Sequence, residues 1–244
     1  MKKIMLVTPV SVKEFDRLAE NRVREIGIPD NIKVECCSLK MGPASIETIY
    51  DESFATVALI RYIEEMTKEN GRMPFDAIVI NCFADPGVDA LRELLDIPVV
   101  GVGESAISLA SLIAPRFSIV SIQKNSVPHA HKRLSTMGIS SRVASVYGIE
   151  LPILDLGKSK DVVINMISEA GEKAITRDAA DALVLGCTGM ADLAGIVSKR
   201  LNVPVIEPTS AGIWAAISMV SIGITHGRNW MYTPVDVTKL KWEG

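Results

Sequence analysis

A chain of 244 residues, 48% hydrophobic and 23% charged, can pack one large or two small domains, and its composition is neither that of a disordered nor of a fibrous protein. Its net charge of -3 offers no basic stripe, so no nucleic-acid partner is expected. The four cysteines make no convincing disulfide framework at this length, and the lack of a Cys-x-x-Cys pair leaves thioredoxin-like chemistry and ribbon zinc sites unsupported.

Met1-Lys2-Lys3 before an apolar run resembles the start of a secretory leader, but Lys13, Glu14 and Asp16 interrupt it and no small-residue cleavage site follows. The longest apolar stretch, Gly212 to Ile224, has 13 residues, too few to span a bilayer. A cytoplasmic protein without a membrane partner is expected. The first strand is read at Lys3–Val7. A helix follows from near Lys13, with Phe15, Leu18, Ala19, Val23 and Ile26 on one stripe. The second strand, Lys33–Ser38, carries Cys36 and Cys37. Neighbours on a strand point to opposite faces, so at least one should be a small core residue. A long helix then carries Ile46, Ile49, Tyr50, Phe54, Val57, Ile60 and Ile63 at three- and four-residue spacing.

The run Asp76-Ala77-Ile78-Val79-Ile80-Asn81-Cys82 ends in a thiol and is followed by an amphipathic segment and Ile97-Pro98-Val99-Val100. The same order returns in Asp181-Ala182-Leu183-Val184-Leu185-Gly186-Cys187 and Val203-Pro204-Val205-Ile206, with further strands near Phe117–Ile122 and Arg142–Ser145. Short apolar strands alternating with helices imply parallel sheets covered on both faces. The expected architecture is therefore α/β, with two pseudo-symmetric lobes and a cleft between them. Residues 1–106 plus 216–244 form the first lobe and residues 107–215 the second. Ligands of such sheets bind beyond the carboxyl ends of the strands, where both cysteines fall.

Asp85 and Pro86 read as the N-cap and first residue of a helix after Cys82, and a helix is expected over Ala191–Leu201 after Cys187. Each thiol would then precede a helix N-terminus, which favours negative charge by about 0.3–1 kcal/mol. That is too little to make a full thiolate from a thiol with a pKa near 8.5. Two opposed thiols suit the inversion of a carbon acid, one removing a proton from one face while the other delivers one to the opposite face. A neighbouring thiolate raises its partner's pKa, so a close pair settles as one thiol and one thiolate.

Asn81-Cys82-Phe83-Ala84-Asp85-Pro86-Gly87 with Pro98-Val99-Val100-Gly101-Val102-Gly103-Glu104 resembles the first cysteine region of hydantoin and allantoin racemases. Gly42-Pro43-Ala44-Ser45-Ile46-Glu47, Asp51-Glu52 and Leu185-Gly186-Cys187-Thr188-Gly189-Met190 fit the same group, within the aspartate/glutamate racemase superfamily. The resemblance runs from the first strand to about Gly212. It implies a cofactor-independent racemase or epimerase with Cys82 and Cys187 catalytic, and it favours a cyclic ureide as small-molecule substrate. Gly189 stands where amino-acid racemases carry a polar residue, and arylmalonate decarboxylases lack one of the two cysteines. Thr8-Pro9-Val10-Ser11 replaces the Asn-Pro-Asn type loop common in hydantoin racemases.

The substrate-binding candidates are Thr8, Ser11, Ser45, Phe83, Ser121, Thr188 and Gly189; Ser45 also reads as the N-cap of the long helix. No Arg or Lys adjoins either cysteine, so a pocket of backbone N–H groups with few charged side chains is expected. Gly101-Val102-Gly103-Glu104-Ser105-Ala106 matches a dinucleotide fingerprint, but the next strand ends Ser121-Ile122-Gln123, without an acid to hold a ribose. Tight strand-to-helix packing is the better reading. His129, His131 and His226 are too scattered for a metal site, and no metal or cofactor is expected. A homo-oligomer is expected, with Ile213–Val220 either a core helix or a subunit contact. The alternatives are a Cys-dependent isomerase of the same superfamily, in which one thiol attacks covalently, and a two-lobed small-molecule binding protein.

Overall fold

The apolar runs become strands of two separate parallel sheets in a computed structural model that describes residues 1–151 and 160–236. In the first sheet β1 (Lys2–Thr8), β2 (Ile32–Ser38), β3 (Ala77–Ile80) and β4 (Val99–Gly101) lie in the order β2-β1-β3-β4. In the second, β5 (Phe117–Ser121), β6 (Val143–Gly148), β7 (Ala182–Leu185) and β8 (Val205–Ile206) repeat that order as β6-β5-β7-β8. The two sheets are not one continuous sheet, and β3 and β7 hold equivalent positions in them.

Every strand pairing is parallel, so each strand returns through a helix: α1 (Glu14–Glu25), α2 (Ile49–Asn70) and α3 (Val88–Leu94) in the first half, α5 (Ser126–Thr136), α6 (Lys160–Thr176) and α7 (Ala194–Leu201) in the second. Successive side chains of β1 go to opposite faces. Ile4 and Leu6 enter a core with Val79 and Ile213, while Met5 and Val7 enter another with Ile78, Leu59 and Leu91. In β7 Val184 packs with Phe117 and Ile107, and Leu185 with Met190 and Val197. Both sheets are thus covered on two faces, which explains why their strands read as unbroken apolar runs.

The halves exchange helices. α4 (Val102–Ile113) leaves β4 of the first sheet and lays Ala106, Ile107 and Ala110 on Phe117, Ile119 and Val184 of the second. α8 (Pro208–Ile222) leaves β8 of the second sheet and lays Ile213, Ala216 and Ile217 on Ile4, Leu6 and Val79 of the first. α4 and α8 also pack on each other. Gly212 is required here, since a Cβ would come within 2.6 Å of the Val102 side chain. Most of Ile213–Val220 is therefore core packing, with Trp214 40% exposed. α8 runs unbroken across residue 215 and lies on the first sheet, while residues 237–244 of the first expected lobe lie outside the described residues.

α2 differs from its sequence reading. Its buried face is Ala55, Leu59 and Ile63, whereas Ile49, Tyr50, Phe54 and Val57 are exposed, Tyr50 to 81%. Apolar residues occupy two sides of this helix, and small Ala55 lets the other side approach the sheet. Ile46 precedes the helix, and Thr48 caps it: its side chain accepts from the Asp51 N–H at 3.1 Å while the Asp51 carboxylate accepts from the Thr48 N–H at 3.0 Å. Ser45 is therefore not the cap. Cys36 and Cys37 are both half-buried and pack on opposite faces of β2. No helix among the described residues is long and apolar enough to cross a membrane.

Candidate active site

The carboxyl ends of β1, β3, β5 and β7 meet at one cavity of about 910 Å³, whose wall includes both Cys82 and Cys187. Strand register makes the two sides equivalent. Val7 pairs with Ile80 and Val120 with Leu185, so one residue further on Thr8 faces Asn81 and Ser121 faces Gly186, and the cysteines come next. The equivalence stops at Asn81. Its amide donates to Thr8 Oγ1 at 3.1 Å and its carbonyl accepts from Thr209 Oγ1 at 2.9 Å, tying the floor of the first half to the start of α8. At Gly186 a Cβ would come within 3.0 Å of Ser121, whose hydroxyl instead accepts from Ser126 Oγ at 2.7 Å.

Of the residues singled out by sequence, Thr8, Ser45, Cys82, Phe83, Ser121, Cys187 and Thr188 share this wall. Among the described residues the wall does not include Ser11 or Gly189. The Ser11 hydroxyl donates to the Gly42 carbonyl at 3.0 Å, and its N–H donates to the Pro43 carbonyl at 2.9 Å, so Ser11 fastens one loop to another. Gly189 acts through its backbone, its N–H favouring the charged form of the Cys187 thiol. Ser45 faces the cavity but gives its hydroxyl proton to the Glu47 carboxylate at 2.8 Å.

The two cysteines are held differently. Cys187 caps a 3-10 turn over Thr188–Leu193 that leads into α7, so the expected helix starts earlier and in a tighter form. After Cys82 there is no immediate helix, because α3 begins only at Val88 with Gly87 in the left-handed region at φ 74°. A turn intervenes in which the Asp85 N–H donates to the Cys82 carbonyl at 2.9 Å and the Ala84 N–H favours the charged form of the Cys82 thiol. Asp85 does not cap α3. Its carboxylate accepts the N–H groups of Gly103 and Glu104 at 2.8 and 2.7 Å, capping α4, and it pairs with Arg133 of α5. Gly101 and Gly103 serve this approach: a Cβ on the first would overlap the Asp85 carboxyl, and one on the second the Phe83 carbonyl. Close packing, not a phosphate, accounts for the glycine pattern.

Burial pushes the Cys82 thiol up to about 12; the Ala84 N–H opposes this, while Cys187, Asp85 and Glu52 add to it. Burial likewise pushes Cys187 up to about 11, against the Gly189 N–H and together with Glu47. The resting pair is thus two thiols, not thiol and thiolate, because burial outweighs the short turns that hold them. At pH 7 a pKa of about 11 leaves roughly one thiolate in ten thousand. Iodoacetamide should therefore label both cysteines slowly at pH 7 in the absence of substrate. The rate should rise about tenfold per pH unit to near pH 11, read by peptide mass after quenching. A labelling midpoint below pH 8 would contradict this account of the resting site.

The wall is more charged than its sequence suggests. Glu47, Glu52, Asp85, Asp89, Arg92, Glu104, His129, Lys132 and Arg133 all contribute: Asp85 from the turn after Cys82, Glu47 from the segment before α2, and the others from α2, α3, α4 and α5. Arg92 pairs with Glu104, and Gln123 and Ser45 donate to Glu47. Burial raises the Glu52 carboxyl against the nearby His129, Arg133 and Lys132. His129 of α5 also faces the cavity. Met231 and Tyr232 of the tail close one end, the Tyr232 hydroxyl bonding Arg92 at 3.3 Å and Asp89 at 2.9 Å. Among the described residues no group of three or more His, Cys, Asp or Glu is arranged to hold a metal ion.

The family described as Asp/Glu/Hydantoin racemase matches residues 4–216. A hydantoin racemase of Paenarthrobacter aurescens is 36% identical over 221 residues, 91% of this chain and 92% of that protein. The solved allantoin racemase from Klebsiella pneumoniae superposes with a TM-score of 0.89 at 28% identity, over 97% of this chain and 94% of its own. Arylmalonate decarboxylase shares the fold alone, with a TM-score of 0.62 at 15% identity over 91% of this chain and 93% of its own. The resemblance read from the cysteine motifs thus holds along most of the sequence: the chain belongs to the Asp/Glu/hydantoin racemase family and is a racemase of that family.

Proposed function

We propose that this racemase inverts a carbon acid of the cyclic-ureide class, a hydantoin or an allantoin-like ring, by two-base proton transfer between Cys82 and Cys187 without a cofactor. The observation that carries the reading is that the equivalent strands β3 and β7 each deliver a thiol to one cavity, near enough that a charge on Cys187 would raise the Cys82 thiol further. A carbon held between them loses a proton to one sulfur and gains one from the other, and the reverse reaction exchanges the roles. A backbone N–H, of Ala84 for Cys82 and of Gly189 for Cys187, favours the thiolate when it forms. A thiolate from an acid this weak is scarce but strongly basic, which suits removal of a proton from carbon.

The substrate class rests on polarity. A ureide ring presents N–H donors and carbonyl acceptors. Glu47 and Glu52 offer acceptors, and the Phe83 and Thr188 segments line the same space. Free aspartate or glutamate would bring its own carboxylates against Glu47 and Glu52. The cavity is several times larger than a five-membered ring, which leaves room for a ring substituent. Polarimetry with a panel of 5-substituted hydantoins, allantoin, aspartate and glutamate tests the assignment. We expect at least one cyclic ureide to racemise 100-fold or more faster than either amino acid. Faster turnover of aspartate or glutamate would reverse the assignment.

A further inference from the structure

Arg133 stands on α5 in the second half of the chain, yet its hydrogen bonds run to the first half. It donates to the Phe83 carbonyl and to the Asp85 carboxylate, and its guanidinium lies 5.6 Å from the centre of the Phe83 ring. Phe83 and Asp85 flank Ala84, whose N–H favours the charged form of the Cys82 thiol, and the Asp85 N–H closes the same turn on the Cys82 carbonyl at 2.9 Å. Asp85 is left-handed at φ 54°, a conformation a non-glycine residue keeps only when its surroundings hold it. Its carboxylate is gripped from two sides, by the Gly103 and Glu104 N–H groups of α4 and by Arg133. The Gly189 N–H, which favours the charged form of Cys187, needs no such clamp, since it lies within the 3-10 turn that begins directly after Cys187.

We propose that Arg133 is a positioning residue for Cys82: by fastening both neighbours of Ala84 it holds in place the turn that closes on Cys82, so the first-half cysteine works only when the second half is docked against that turn. The inference rests on the proposed two-cysteine reaction. It makes the two bases unequal. Cys187 leads straight into its own 3-10 turn, whereas Cys82 borrows the order of its turn from across the cleft. Arg133 itself moves no proton and acts only through the turn.

The test uses the full chain with Arg133→Met or Arg133→Lys placed in Cys187→Ser and Cys82→Ser backgrounds, each leaving one thiol. Exchange of the substrate C–H for solvent deuterium is then followed for each enantiomer. Arg133→Met should slow exchange by Cys82 at least tenfold more than exchange by Cys187, chiefly in kcat, and Arg133→Lys should fall between. An equal loss in both backgrounds overturns the proposal, since a merely structural residue would do that. Hydrogen–deuterium exchange of the substrate-free protein provides a second readout. Amides of the Phe83–Asp85 turn should lose protection in Arg133→Met while those of Thr188–Met190 keep it, and an unchanged Phe83–Asp85 turn also overturns the proposal. If neither single-thiol parent exchanges any substrate, the two-base reaction fails, and the amide readout still decides whether Arg133 holds the turn.

Discussion

Replacing either cysteine by serine should abolish racemisation, lowering kcat about 10³-fold or more in both directions while leaving the fold intact. A positioned acid or base contributes about 10²–10⁴-fold, and a 10³-fold loss corresponds to about 4 kcal/mol of transition-state stabilisation. Serine is nearly isosteric with cysteine but is a far weaker acid, so it cannot trade a proton at neutral pH. Cys82 and Cys187 sit at the ends of buried strands, and a hydroxyl in place of a thiol disturbs little around them. Losses should therefore fall in kcat with KM nearly preserved, measured by polarimetry on each enantiomer. The equilibrium constant of a racemisation is one, so kcat/KM must fall equally in both directions. Near-normal racemisation by either variant would show that its sulfur is dispensable.

The second large effect concerns stability. Asp85→Ala should cost about 3 kcal/mol, near the lower end of the range for removing one partner of a buried ion pair, because the Arg133 side chain keeps 22% exposure. The change also strips the acceptor from the Gly103 and Glu104 N–H groups, a loss comparable to that of a helix cap, about 1 kcal/mol. For a chain of this size a deficit of 3–4 kcal/mol lowers the melting temperature by about 6–16 °C. Asp85→Asn should be milder. It keeps an oxygen for one N–H, and burial already penalises the charged form, pushing the Asp85 carboxyl up to about 6 against the Arg133 guanidinium. Denaturant titration of the three proteins orders them wild type, Asn, Ala. Equal stability of Asp85→Ala and wild type would remove the pair from any part in holding the turn.

Much of this architecture is legible in the sequence because its strands are buried on both faces. Ala182–Leu185 and Val205–Ile206 are continuous apolar runs between turns, and they fold as read. The repeat was visible for the same reason, since each Cys follows such a run directly. Three features were not legible. The inward face of α2 is marked by Ala55, Leu59 and Ile63; of the stripe read from sequence Ile60 and Ile63 pack inward, while Ile49, Tyr50, Phe54 and Val57 are exposed, so periodicity alone found only part of the buried face. Asp85 followed by Pro86 has the pattern of a helix cap, but its carboxylate finds better donors at the start of α4. Arg133 lies 48 positions from Asp85, and a pairing that exists only after two halves dock leaves no periodic trace. The helix ends, read as too weak to make a full thiolate, are weaker still against burial. An effect of about 0.3–1 kcal/mol cannot offset a burial that pushes Cys82 to about 12 and Cys187 to about 11.

Two bases on opposite faces of one carbon leave a signature that no single-thiol mechanism shares. In deuterated water the Cys82→Ser and Cys187→Ser proteins are each given the separate enantiomers of a ureide that the wild type racemises, and deuterium at the reacting carbon is read by mass spectrometry. The account predicts that each variant exchanges one enantiomer without inverting it, that the two variants choose opposite enantiomers, and that neither racemises. Exchange of the same enantiomer by both variants, or deuterium-free turnover with a stable adduct on one cysteine, would contradict it.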